Sequence, residues 1–150
     1  MKIYWIIENK LAHSLYPYKR DQLEDLYDKK GIRAIVSLIN RSDKDRDFIK
    51  EKGFEYLEVV VKDQTAPTID QLILINKFID SMIDKKKPVL VHCVAAGRSG
   101  TVLVSHLIYH GKSFTDSLSE VRNIIKNANA VECSSQKEIL KDFEKYNKEK

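Results

Sequence analysis

The apolar positions of the chain change period several times, and each change marks an element. KIYWII (2–7) alternates enough to predict a first strand. In YKRDQLEDLYDKKG (18–31), Leu23, Leu26 and Tyr27 fall at helical spacing and Gly31 offers a stop. IRAIVSLI (32–39) reads as a buried strand rich in β-branched residues. SDKDRDFIKEKG (42–53) reads as a short polar helix closed by Gly53, and FEYLEVVV (54–61) as a strand followed by the loop KDQTAP (62–67). Thr68 and Gln71, just after Pro67, form a capping-box pattern at the head of TIDQLILINKFIDSMID (68–84). The apolar stripe of that helix is Leu72, Ile75, Ile79, Met82 and Ile83. PVLVHC (88–93) is an uninterrupted apolar run, expected as the fourth and central strand. SGTVLVSHLIYHG (99–111) is a helix apolar enough to lie buried under the sheet, and SFTDSLSEVRNIIK (113–126) and SSQKEILKDFEKYNK (134–148) are two more helices.

Strands alternating with helices predict an α/β fold: a central, mixed, mostly parallel sheet with helices on both faces. The 150 residues fit one domain spanning 1–150. Apolar residues make up 43% and charged residues 32%, which excludes a disordered chain. No apolar run approaches the roughly 18 residues of a membrane span. The start, MKIYWIIENK, lacks the cleavage site of a signal peptide, so a cytoplasmic protein is expected. The net charge of +4 is spread as lysines over the whole chain, without the basic–aromatic pairing of a nucleic-acid module. Neither nucleic acid nor membrane is expected as a partner. His106 and His110 stand four apart on one predicted helix, a spacing that can hold a metal. The sequence offers no third ligand, so they read as core or surface histidines and no metal or cofactor is expected.

The chemistry is concentrated in HCVAAGRSGT (92–101), a strand end, a small loop and a helix start. A helix N-terminus has unpaired N–H groups and partial positive charge, which stabilise an anion or a thiolate. Val94, Ala95, Ala96 and Gly97 are small, so their N–H groups can turn inward. Gly97 suits a positive φ or a close approach. Arg98 can fork two hydrogen bonds onto an oxyanion, and Ser99 is placed to bond the Cys93 sulfur.

VHCVAAGRSGT (91–101) resembles the signature loop of the cysteine-dependent tyrosine and dual-specificity protein phosphatases, especially small archaeal-type members. LAHSLYPYKRDQLEDLYDKKGIRAIVSL (11–38) is similar to that family's substrate-loop, helix and strand pattern. FEYLEVVVKDQTAPTIDQL (54–72) resembles its general-acid segment, and NANAVECSSQKEIL (127–140) its closing segment. The resemblance covers nearly the whole chain. It implies a protein-tyrosine-phosphatase-like fold and a monomer that hydrolyses phosphotyrosine, with phosphoserine and phosphothreonine in reach, on phosphoproteins. It makes Cys93 the nucleophile and Ser99 the stabiliser of the leaving thiolate. Arg98, with the amides of Val94, Ala95, Ala96 and Gly97, binds the phosphoryl group. His92 supports Cys93, Asp63 is the general acid and then base, and Gln136 lies at the substrate. Asp70 is better explained by the dipole of the helix it opens. Glu132 stands where the family has a first Gln, and a carboxylate there repels a dianion unless it turns away or acts as a base. Cys133 reads as structural.

The larger departure from the family is in the loop. Four residues separate Cys93 from Arg98, where the family's loop has five. One residue fewer removes an amide and up to about 3.6 Å of contour. Three readings follow: a working phosphatase whose helix starts one residue later, an impaired or inactive protein of the same fold, or a rhodanese-like sulfurtransferase, whose loops also have four residues. The last has no need of Asp63.

Overall fold

The structure is a computed structural model that describes residues 1–127 and 129–150. Ala128, inside the expected closing segment, lies outside the described residues.

Five strands, β1 (Tyr4–Ile7), β2 (Leu11–His13), β3 (Ala34–Ser37), β4 (Glu55–Glu58) and β5 (Val89–His92), form one sheet in the order β1-β2-β5-β3-β4. The β1–β2 pair is antiparallel and the other pairs are parallel, so the sheet is mixed and mostly parallel, as the alternation of elements implies. The expected central strand is central, but it is the fifth in the chain. The one missed is β2, whose three residues are too few to display a period of two. It forms because both edges are paired, to β1 on one side and to β5 on the other.

Side chains alternate between two apolar layers. Ala12, Ile35 and Leu90 face α1 (Arg20–Asp28) and α2 (Asp43–Lys52), packing with Leu23, Leu26 and Ile49. Leu11, Ala34, Val36, Val89 and Val91 face the larger layer, built by α3 (Ile69–Asp84), α4 (Gly97–Tyr109), α5 (Phe114–Ile125) and α6 (Ser134–Glu149). Both faces are therefore covered. The chain starts α3 as the sequence predicts: Thr68 Oγ1 accepts from Gln71 N at 3.1 Å and Gln71 Oε1 accepts from Thr68 N at 2.9 Å. Gly53 closes α2 at φ 113°, a left-handed cap that suits glycine. Helix α4, although it carries Arg98, Ser99, Thr101, Ser105 and His106, is buried from Gly97 to Ile108 among α3, α5, α6 and β5.

Four parallel strands end at one edge of this sheet, where ligands of open α/β sheets bind. There β2 ends in His13, β3 leads to Arg41, β4 leads to the Asp63 loop, and β5 runs into Cys93. Among the described residues no helix is long and apolar enough to cross a membrane.

Candidate active site

Cys93 follows the buried run of β5 and is itself 1% exposed. Its Sγ lies 3.2 Å from Ser99 Oγ and 3.4 Å from the Ser99 backbone N–H, which donates to it. Ser99 Oγ is also 2.9 Å from His13 Nε2. Burial pushes the His13 pKa down to about 4, with the Ala95 backbone pulling the other way, so the ring is neutral near pH 7. Ser99 Oγ thus joins a neutral ring to the Cys93 sulfur, and the Ser99 backbone N–H is the donor that favours a thiolate there.

His92 lies on the other side of the strand end. Arg41 NH2 is 3.1 Å from its Nε2, and a guanidinium only donates, so Nε2 is the acceptor. Nδ1 therefore carries the hydrogen and donates to the Cys93 carbonyl at 3.1 Å. Burial, then Arg41, lowers the His92 pKa to about 3. The ring stacks on Tyr16 at 5.5 Å and 7°, and Arg41 lies over the same Tyr16 ring at 4.9 Å. Arg41 is fully buried and also donates to the Pro17 carbonyl at 3.2 Å. This places a fixed positive charge behind the nucleophile.

Arg98, in the first turn of α4, is 8% exposed. Its NH1 donates to the Val61 carbonyl at 2.8 Å, and its NH2 lies 3.7 Å from Asp63 Oδ1. The Asp63 side chain is 71% exposed and accepts from Gln64 N at 3.0 Å. The structure thus brings the sequence-predicted Cys93, Ser99, Arg98 and Asp63 to one place. Val94 and Ala95 are exposed in the loop and Ala96 is buried; the Val94 carbonyl accepts from Tyr16 N at 3.3 Å.

In the loop, Gly97 and Arg98 are already helical, and only Val94–Ala96 bend between Cys93 and α4. Gly97 has no positive φ, against one of the two expectations for it; a Cβ there would lie 2.8 Å from Glu132 Oε1, the end of an exposed side chain that would have to shift. The Glu132 carboxylate therefore sits against the N-terminus of α4, where the dipole favours it, and accepts from Gln64 Nε2 at 3.1 Å. Gln136 is fully buried. Its Oε1 accepts from the backbone N of Glu132 (2.9 Å) and Cys133 (3.3 Å), and its Nε2 donates to the Thr65 carbonyl at 3.1 Å. Its amide clamps the head of α6 to the Asp63 loop. Cys133, a free thiol, lies 3.5 Å from the Gln64 carbonyl in the same seam.

His13, Tyr16 and Arg41 escaped the sequence reading. His13 sits on the strand that was missed, 86 residues from its partner Ser99. Arg41 looks like one more charge before a polar helix.

The sequence pattern of the family described as Tc-R-P, polymorphic toxin system, DSP-PTPase phosphatase, matches residues 14–112. A tyrosine-protein phosphatase CDC14 of Candida albicans is 28% identical over 99 residues, 63% of this chain and 18% of that protein, so the match spans under a fifth of the relative. Among solved structures, Tk-PTP in its active form is 33% identical, with 95% of this chain and 96% of that one covered and a TM-score of 0.87. PTPMT1, at 23% identity and a TM-score of 0.85 over 99% of this chain and 97% of that one, shares the fold.

Proposed function

This chain belongs to the DSP-PTPase phosphatase family, and on that footing we propose that it hydrolyses phosphotyrosine on phosphoproteins, with phosphoserine and phosphothreonine in its range, through a phosphocysteine at Cys93. Residues 1–150 act as one catalytic domain in a monomer. The observation that carries the reading is the convergence of a donor-wrapped Cys93 sulfur, Arg98 and Asp63 at one strand edge.

In the first step the Cys93 thiolate attacks phosphorus and the bond from phosphorus to the substrate oxygen breaks. Asp63 gives its proton to that oxygen. Arg98 exchanges the Val61 carbonyl and Asp63 for two phosphoryl oxygens, a bidentate fit. In the second step water attacks phosphorus, Asp63 takes the water proton, and the sulfur–phosphorus bond breaks. The departing thiolate is received by Ser99 Oγ and N. A second reading, a phosphatase with weakened turnover, is favoured by the three-residue bend before Gly97, which shortens the cradle.

The test is rapid acid quenching of the Asp63→Asn chain with p-nitrophenyl phosphate, whose leaving group departs without an acid, followed by mass analysis of the Cys93 peptide. Phosphate on Cys93 is expected. Release of p-nitrophenol with no phosphate on Cys93 would overturn the mechanism.

A further inference from the structure

His106, His110 and Asp80 take no part in the steps above, yet their ligand atoms lie within 4.8 Å of one another. We propose that they form a binding site for a divalent transition metal of the Zn2+ class, clamping α3 to α4. The sequence offered the two histidines; Asp80, one residue from the apolar stripe of α3, is the third side chain that helix packing supplies.

The strongest observation is the way His106 is held. Asn76 Nδ2 donates to the Leu72 carbonyl at 2.9 Å and to Ser105 Oγ at 3.0 Å, and Ser105 Oγ itself donates to the Val102 carbonyl at 2.6 Å. A carbonyl accepts only, so the orientation of the Asn76 amide is fixed. Its Oδ1 therefore faces His106 Nδ1, at 2.9 Å, and Nδ1 carries the hydrogen. His106 Nε2 is left as a lone pair 4.0 Å from Asp80 Oδ1, another acceptor. Asp80 Oδ1 is hydrogen-bonded to His110 Nε2 at 2.8 Å, so the His106 Nε2 lone pair is the open coordination point of the cluster. A buried amide that fixes the tautomer and aims the other nitrogen is how metal-ligating histidines are supported.

The remaining geometry fits. Asp80 Oδ1 is 2.8 Å from His110 Nε2, and the two imidazole rings are 4.6 Å apart. A tetrahedral ion with bonds of about 2.0–2.1 Å needs ligand atoms about 3.3 Å apart, between the 2.8 and 4.0 Å found here. The His110 side chain is 54% exposed and that of Asp80 33%, so both can shift by tenths of an ångström while His106 stays fixed. The fourth position opens into a cleft of about 290 Å³, where Lys10 and Asp84 bring opposite charges to the rim. Two imidazoles and one carboxylate suit Zn2+ better than Mg2+ or Ca2+, which take oxygen ligands.

The test uses the full chain with Cys93→Ser and Cys133→Ser, so that no thiol competes, stripped with chelator and titrated calorimetrically with Zn2+. One ion per chain is expected. Saturation at 100 times Kd should raise the thermal midpoint by roughly 5–10 °C. His110→Ala, at an exposed side chain, and Asp80→Asn, at a half-buried one, should each weaken binding by roughly tenfold or more. Each should melt like its parent in EDTA. Co2+ should give the visible absorption of a tetrahedral site, lost in His110→Ala. Zn2+ affinity unchanged in both variants, or no uptake of Zn2+ by the parent, would overturn the proposal.

Discussion

Acidifying the chain from pH 7 to pH 5 should strongly destabilise it, because three buried imidazoles are neutral in the fold. His13, His92 and His106 are each no more than 1% exposed. Burial is the largest influence on all three and lowers their pKa values to about 4, 3 and 4, against 6.5 for a free imidazole. Between those values and 6.5 the unfolded chain is protonated at these positions and the folded chain is not. The unfolded state therefore binds more protons, and acid draws the equilibrium toward it. The contribution is whole above about pH 6.5 and is lost as pH falls toward about 4 for His13 and His106 and about 3 for His92. At pH 5 each group has lost about 2 kcal/mol and the three together about 6 kcal/mol. That is comparable with the whole stability of a typical domain, about 5–15 kcal/mol. At about 2–4 °C per kcal/mol for this size, the thermal midpoint should fall by roughly 12–24 °C. Carboxylates do not confuse this window. The N-terminal ammonium bonds Asp25 and holds its pKa low, so its loss comes at lower pH. Calorimetric melts in EDTA from pH 7 to pH 5 measure the effect, and buffers of different ionisation heat count the protons taken up at pH 5, expected to be about three. A midpoint steady within about 3 °C over this range would refute neutral burial of the histidines.

Asp63→Asn should lower kcat/KM by about 10²–10⁴ for substrates with poor leaving groups while sparing kcat/KM for p-nitrophenyl phosphate, whose kcat falls with the shared hydrolysis step; equal losses of kcat/KM on both would remove Asp63 as the acid. Ser99→Ala takes away the hydroxyl 3.2 Å from sulfur and should lower kcat by roughly 10–100-fold with little change in KM; an unchanged kcat would show that this hydroxyl is idle. Gly100→Ala places a Cβ 2.9 Å from both Cα and Cβ of Ala130. The helix-propensity gain of about 1 kcal/mol is outweighed by overpacking of about 1–3 kcal/mol against a backbone that cannot swing aside, so the midpoint should fall, and a raised midpoint would refute this reading.

The chemistry of the strand-to-helix turn was legible because Cys93, Arg98 and Ser99 are contiguous, and the helices because their stripes run for two turns or more. The capping box of Thr68 and Gln71 was readable for the same reason: both partners lie within four residues. What was hidden depends on tertiary packing. The period of α3 places Asp80 beside its own stripe but does not say which helix it meets, so the triad with His106 and His110 emerges only when α3 packs on α4. His13 was lost with a strand held by its neighbours rather than by its own pattern. Gly97 was rightly marked as special for a partly wrong reason, since the constraint comes from Glu132 across the seam and not from its own φ. Arg41 carries no sequence sign of burial, because the groups it meets, the Tyr16 ring, His92, the Pro17 carbonyl and Asp45 at 3.8 Å, are brought to it by folding and offset its cost only in part.

The most direct test of the central claim is steady-state hydrolysis of p-nitrophenyl phosphate by the purified chain, with Cys93→Ser as the blank. The account predicts turnover clearly above that blank, which a four-residue loop delivers only if it still cradles a phosphoryl group. Turnover equal to the blank would contradict it, and recovery on inserting one glycine after Ala96 would locate the fault in the length of the loop.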